Sequence, residues 1–142
     1  MRLSAERSIP RPAAEVFEFL ADAANNPRWQ KGMRRCEWTT PPPTGIGSVY
    51  EQEAKFAGRS IISRFEVTTF EPGRSITIET VESTFPISVT RTVEPTSDGC
   101  RVTAAISGGP GGVFLVLAPL LRWMAQRSVD ADYDRLVEQL SR

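Results

Sequence analysis

From Met33 to Ser107 the chain reads as a run of strands whose interruptions are too short to carry a parallel crossover. Alternating apolar and polar residues mark candidate strands at Met33–Thr39, Ser48–Ala57, Ser60–Glu71, Ser75–Glu82, Phe85–Glu94 and Cys100–Ser107. Between them stand Pro41-Pro42-Pro43-Thr44-Gly45, Ala57-Gly58, Pro72-Gly73 and Ser97-Asp98-Gly99, all turn chemistry. A parallel connection needs a dozen or more residues, so successive strands must run antiparallel. With a further short strand at residues 3–9, the prediction is a seven-stranded antiparallel sheet.

Side chains two apart share a face of such a sheet. Ile61, Ser63, Phe65 and Val67 fall together, as do Ile76, Ile78 and Thr80; Ile87, Val89, Arg91 and Val93; and Val102, Ala104 and Ile106. The companions are mostly Thr, Ser, Arg and Glu, so one face is apolar and the other wet. The apolar face needs a cover.

The C-terminal segment supplies one. After the glycine-rich connector 108–112, Leu117, Leu121, Met124 and Ser128 follow one helical stripe that continues through Val129, Tyr133, Leu136 and Leu140. Arg122, Gln126, Asp130, Asp134 and Glu138 take the opposite side. Pro119 interrupts the pattern; an interior proline costs roughly 3 kcal/mol, which predicts a bend or break there. A helix of about 20 residues spans 30 Å, enough to cross a curled sheet. Near the other terminus, Ala13, Val16, Phe17 and Leu20 mark a helix over residues 12–23. Asn25-Asn26-Pro27 ends it, and residues 27–30 form a second short helical turn.

Composition narrows the function. The chain has 142 residues, a length for one domain, residues 1–142. It has no histidine, which removes the Ser-His-Asp triad, a histidine base and histidine-ligated metals. Lys plus Arg and Asp plus Glu are 17 each, and this balance argues against a nucleic-acid partner. Cys36 and Cys100 have no metal-ligand spacing; they could form a disulfide on count alone, but a domain of this size builds a core without one. The N-terminus has no apolar signal core, so a cytoplasmic, reduced location is expected. The apolar run from Val113 to Leu121 is nine residues, too short to span a bilayer, so no stable membrane insertion is expected. Its flanks carry little basic charge for membrane-surface contact, and a cavity lid and helix start are the favoured reading. The glycines at 45–47 and 108–112 lack phosphate-loop contexts, Asp130, Asp132 and Asp134 lack calcium-loop spacing, and Arg34-Arg35 is too small a basic patch for nucleic acid. No metal or other cofactor is expected. The chain is expected to be a monomer or a homodimer.

Several stretches stand out within the order strand, two short helices, six antiparallel strands and long helix. They begin with Ser8-Ile9-Pro10-Arg11-Pro12-Ala13-Ala14-Glu15-Val16-Phe17 and Asn26-Pro27-Arg28-Trp29. Gly47-Ser48-Val49-Tyr50, Val67-Thr68-Thr69-Phe70-Glu71-Pro72-Gly73-Arg74 and Asp98-Gly99-Cys100-Arg101-Val102-Thr103 continue the series, and the tail Ala118-Pro119-Leu120-Leu121 with Asp134-Arg135-Leu136 completes it. In these stretches and in element order the chain resembles the START-related, polyketide cyclase/dehydrase-like superfamily, with the helix-grip fold of the birch-pollen allergen, and the resemblance accommodates the proline. The resemblance implies an α+β helix-grip fold: a seven-stranded curved antiparallel sheet around a long C-terminal helix, with two short helices between strands 1 and 2. It also implies a cavity for a hydrophobic small molecule such as a lipid, polyketide or aromatic compound.

The residues facing that cavity are Phe65, Ile78, Val89, Ala104, Leu117, Leu121 and Met124, most of which read individually as plain core, a reading compatible with lining a gap. Ala104, Ser63 and Ser128 are small for a solid core and leave room. Arg91 is a charge in an apolar register. It is either an anchor for a ligand oxygen, an ion pair with an acid such as Glu79, or a residue at the wet rim. Trp29 lies near the cavity mouth in the resembled family, or staples the helical turn to the sheet. Tyr50 and Phe56 share a strand face with Gln52 and Ala54 that can turn inward, whereas Glu51 and Glu53 alternate toward water. The expected activity is binding of such a molecule, with or without transport. The alternatives are a cofactor-independent cyclase or dehydratase, and a protein-interaction module with a filled cavity.

Overall fold

The structure, a computed structural model, describes residues 2–56, 58–82, 86–108 and 114–142, and the side chains of these except 56 and 114–118. Seven strands form one antiparallel sheet: β1 (Arg2–Ile9), β2 (Met33–Trp38), β3 (Val49–Phe56), β4 (Arg59–Glu71), β5 (Ser75–Thr80), β6 (Ile87–Thr96) and β7 (Gly99–Gly108). Their order is β1-β7-β6-β5-β4-β3-β2, so β2 through β7 form a meander and β1 returns beside β7. The short turns dictate this neighbour-to-neighbour pairing. The register shifts between Val67 and Thr69 on β4, a bulge that increases local twist. At the β6–β7 turn only glycine fits: a Cβ on Gly99 would sit 2.1 Å from the Ile9 carbonyl oxygen.

Helix α1 (Ala13–Ala21) follows β1 and turns Val16, Phe17 and Leu20 into the core against β6 and β7. It is shorter than the 12–23 pattern predicts. A 3₁₀ segment, Ala23–Arg28, starts where the long helix was expected to end. The Asp22 carboxylate accepts a hydrogen bond from the Ala24 amide at 3.0 Å and caps that start. The second turn therefore includes Asn25-Asn26-Pro27 instead of following it.

Helix α2 (Phe114–Ser141) runs through Pro119 as one helix, without the predicted break. Pro119 is the sixth residue, so it removes a single hydrogen bond near an end where amides already lack partners. Part of its polar side meets β1. Gln126 donates to the Ser4 carbonyl at 2.7 Å and accepts from the Ser4 amide at 3.3 Å. Arg7 reaches Asp134 at 2.9 Å and Asp130 at 3.5 Å. These contacts satisfy the backbone of an edge strand, while Arg122, Asp134 and Glu138 remain exposed.

The apolar stripe of α2 is buried unevenly. Tyr133 and Leu136 are fully inside, with Val129, Val137 and Leu140 packed against the core. Leu120, Trp123 and Met124, toward the other end, are each more than half exposed. Cys36 and Cys100 are buried free thiols, so the disulfide allowed by count is not formed. Among the described residues, no helix is long and apolar enough to cross a membrane.

Candidate functional site

The alternation of β6 aims Arg91 inward between Val89 and Val93, away from solvent. Its partners across the sheet are Ile76 on β5 and Ala104 on β7, neither able to accept a hydrogen bond through its side chain. The residue is only 8% exposed, and it is neither at the wet rim nor paired with Glu79. Its Nε donates to the Tyr133 hydroxyl at 3.0 Å. The guanidinium carbon stands 5.2 Å from the centre of the Trp29 ring, a cation–π contact. Trp29 in turn meets Tyr133 edge-on, centroids 4.9 Å apart.

An arginine carries five N–H donors, and Arg91 commits one to a protein acceptor among the described residues. Every Asp and Glu of the chain belongs to those residues, and none lies within ion-pairing distance of it. Burial opposes the Arg91 charge most strongly, and the Tyr133 and Tyr50 hydroxyls more than offset it, so its pKa lies above the ordinary value. The charge stays on at any working pH.

Around it lie further polar atoms. Asn26 Oδ1, Trp29 Nε1 and Gln30 Nε2 are buried without hydrogen-bond partners among the described residues. Burial pushes the Tyr50 hydroxyl pKa well up against the pull of Arg91. It also pushes the Cys36 thiol up to about 11, against smaller opposite effects of Asn26, Arg91 and Arg35. Tyr50 is held by stacking on Phe65 at 5.5 Å and by the edge of Trp38 at 5.3 Å. The Trp38 indole is fixed by Asp22, its acceptor at 2.9 Å.

Two spaces adjoin this cluster. A small, partly open cavity of about 10 Å³ is bounded by Asn26, Tyr50, Ile76, Ile78, Val89 and Arg91 among others, room for one water-sized group. A larger open groove of about 550 Å³ lies between α2, the start of β2 and the end of β3, lined by Arg34, Lys55, Ser128, Ala131 and Arg135 among others.

The expected site residues thus divide. Tyr50, Ile78, Val89 and Arg91 line the inner cavity, with Phe65 and Trp29 packed on members of that set. Ala104 is buried beside Arg91 on β7. Leu121 is half-buried on α2, and Met124, 52% exposed, is not brought to the cluster. The side chains of Phe56 and Leu117 lie outside the described residues. Sequence reasoning missed Asn26, Cys36 and Trp38, and knew Tyr133 only as a stripe residue. The signal for Asn26 was present but ambiguous, since an asparagine before proline also marks a turn.

Residues 1–141 match the family described as polyketide cyclase / dehydrase and lipid transport. The chain belongs to that family. No curated protein matches its sequence. Family membership agrees with the fold, for the chain is similar to TTHA0849 from Thermus thermophilus, with TM-score 0.83, 19% identity and coverage of 99% of this chain and 97% of that one. It is similar to the di-domain ARO/CYC StfQ from the steffimycin biosynthetic pathway, with TM-score 0.77, 14% identity, and coverage of 99% of this chain and 50% of that one. It is also similar to Ara h 8.0201, with TM-score 0.67, 13% identity, and coverage of 97% and 98%. At these identities the solved structures establish the helix-grip fold that the family shares.

Proposed function

We propose that this protein binds a hydrophobic small molecule, such as a lipid, polyketide or aromatic compound, between the curved sheet and α2, with Arg91 holding an oxygen of the guest. The observation that supports it most is the buried guanidinium with, among the described residues, one hydrogen bond and no carboxylate. A charge held this way is expensive, and a carboxylate, phenolate or ketone oxygen would relieve it. Tyr50 and Asn26 border the same small space and add a hydroxyl and an amide. The groove beside α2 has the volume of a small-molecule site, and the exposed Leu120 and Met124 offer apolar surface further along the same helix.

The family description favours one second reading, a cyclase in which Arg91 polarises a substrate carbonyl. Binding is preferred because the cluster holds no carboxylate or histidine to move a proton, and its thiol and phenol are pushed upward.

The test is a fluorescence titration with an anionic aromatic probe, 1-anilinonaphthalene-8-sulfonate, on the native chain and on Arg91→Leu. Saturable binding at one site, weakened about tenfold or more by the substitution, is expected from losing a charge-assisted bond. Equal binding by both proteins would remove Arg91 from the site.

A further inference from the structure

The groove between α2, the start of β2 and the end of β3 has a chemical character of its own. Lys31, Arg34, Lys55 and Arg135 line it, with Gly32 and Gly58, and no Asp or Glu does. The chain as a whole is neutral, so this gathering of charge is local. Segments 31–35 and 54–65 contain Lys31, Arg34, Arg35, Lys55, Arg59 and Arg64 and not one acid. Lys31, Arg34 and Lys55 make no ion pair among the described residues, whereas Arg135 is held by Asp132. The walls are tied together, since the Lys55 amide donates to the Gly32 carbonyl at 2.8 Å. Like charges brought around one concavity repel, and an anion between them removes that repulsion.

The groove also shares a wall with the interior. Arg135 donates to the Trp29 carbonyl at 3.1 Å, and the Trp29 ring lies beneath Arg91. Trp29 Nε1 is buried there without a partner among the described residues. Trp29, itself fully buried, thus joins the groove wall to the cluster around Arg91.

We propose that the groove is a headgroup site, and that the guest is an amphiphile whose anionic head, a phosphate or carboxylate, sits among Lys31, Arg34, Lys55 and Arg135 while its apolar part points inward and carries the separate oxygen that meets Arg91. This rests on the reading that the interior takes an apolar guest, and the test separates the two. Isothermal titration calorimetry below micelle-forming concentrations would compare decyl phosphate, decanoate, decanol and inorganic phosphate, at low and at 0.3 M salt.

The expected result is that decyl phosphate and decanoate bind at least tenfold more tightly than decanol, with the preference shrinking in salt. Lys55→Glu and Arg34→Glu should each lower affinity for decyl phosphate about tenfold and leave decanol unchanged. Lys55→Gln should give a smaller loss of the same kind and guards against misfolding of the reversed variants. Decanol binding as tightly as decyl phosphate would overturn the headgroup site and leave the apolar guest standing. Inorganic phosphate binding as tightly as decyl phosphate would make the groove a site for the free anion and overturn the amphiphile. If neither decanol nor decyl phosphate binds, the apolar-guest reading falls and the headgroup site with it.

Discussion

Arg91 is where local chemistry and function meet. A strand alternation puts it inward, and the residues facing it supply one hydroxyl and one aromatic face instead of a carboxylate. Replacing a buried charged group with an apolar one of similar volume is often neutral or stabilising. Arg91→Met is therefore expected to leave stability in urea unfolding unchanged or to raise it, by up to about 2 kcal/mol, while weakening probe binding. A large loss of stability would make the residue structural. Tyr133→Phe is expected to cost about 2 kcal/mol in the same assay, because it leaves the guanidinium with no protein acceptor among the described residues. Cys36 and Tyr50 set an alkaline limit. Both hold their protons more tightly folded than unfolded, so their contribution is full below pH 9.0 and is lost as pH rises toward 11 and beyond. Unfolding free energy should fall above pH 9, and Cys36→Ala should flatten the part between 9 and 11. A Cys36→Ala profile identical to the native one would refute that assignment. None of the Arg91 contacts was legible beforehand: alternation marked the charge as anomalous, but Tyr133 lies 42 positions away and only the fold brings it there.

At the scale of elements, turn chemistry and alternation are local signals, which is why the strands lie where the pattern put them, to within about two residues. Helix α2 was harder. Periodicity sorts its residues into two sides without saying which neighbour each side meets, so the contacts of Gln126, Asp130 and Asp134 with β1 were not legible in it. Gln126 in effect substitutes for the neighbouring strand that β1 lacks on its outer edge. Gln126→Ala should cost about 1 kcal/mol and accelerate hydrogen exchange at the Ser4 amide, read by NMR. Unchanged exchange would mean that the pair does not protect the edge. Gly99→Ala should cost about 2 kcal/mol or more in thermal or urea unfolding, since its Cβ would collide with the carbonyl of Ile9. A near-neutral result would show that the β1 end gives way easily.

Over the whole molecule, the sheet is covered unequally by its helix. The C-terminal half of α2 is anchored through Tyr133 and Leu136, while Leu120, Trp123 and Met124 keep apolar surface in contact with water. Beside that helix lies an open groove, and near it a cluster of underused buried polar groups. The missing histidines fit the same picture, leaving an interior whose polarity is concentrated in one arginine and its neighbours. Native mass spectrometry of the freshly purified chain tests this most directly. The account predicts a population carrying one small apolar or amphiphilic molecule, displaced by 1-anilinonaphthalene-8-sulfonate and diminished in Arg91→Leu. A bare chain mass, together with no saturable probe binding, would contradict it.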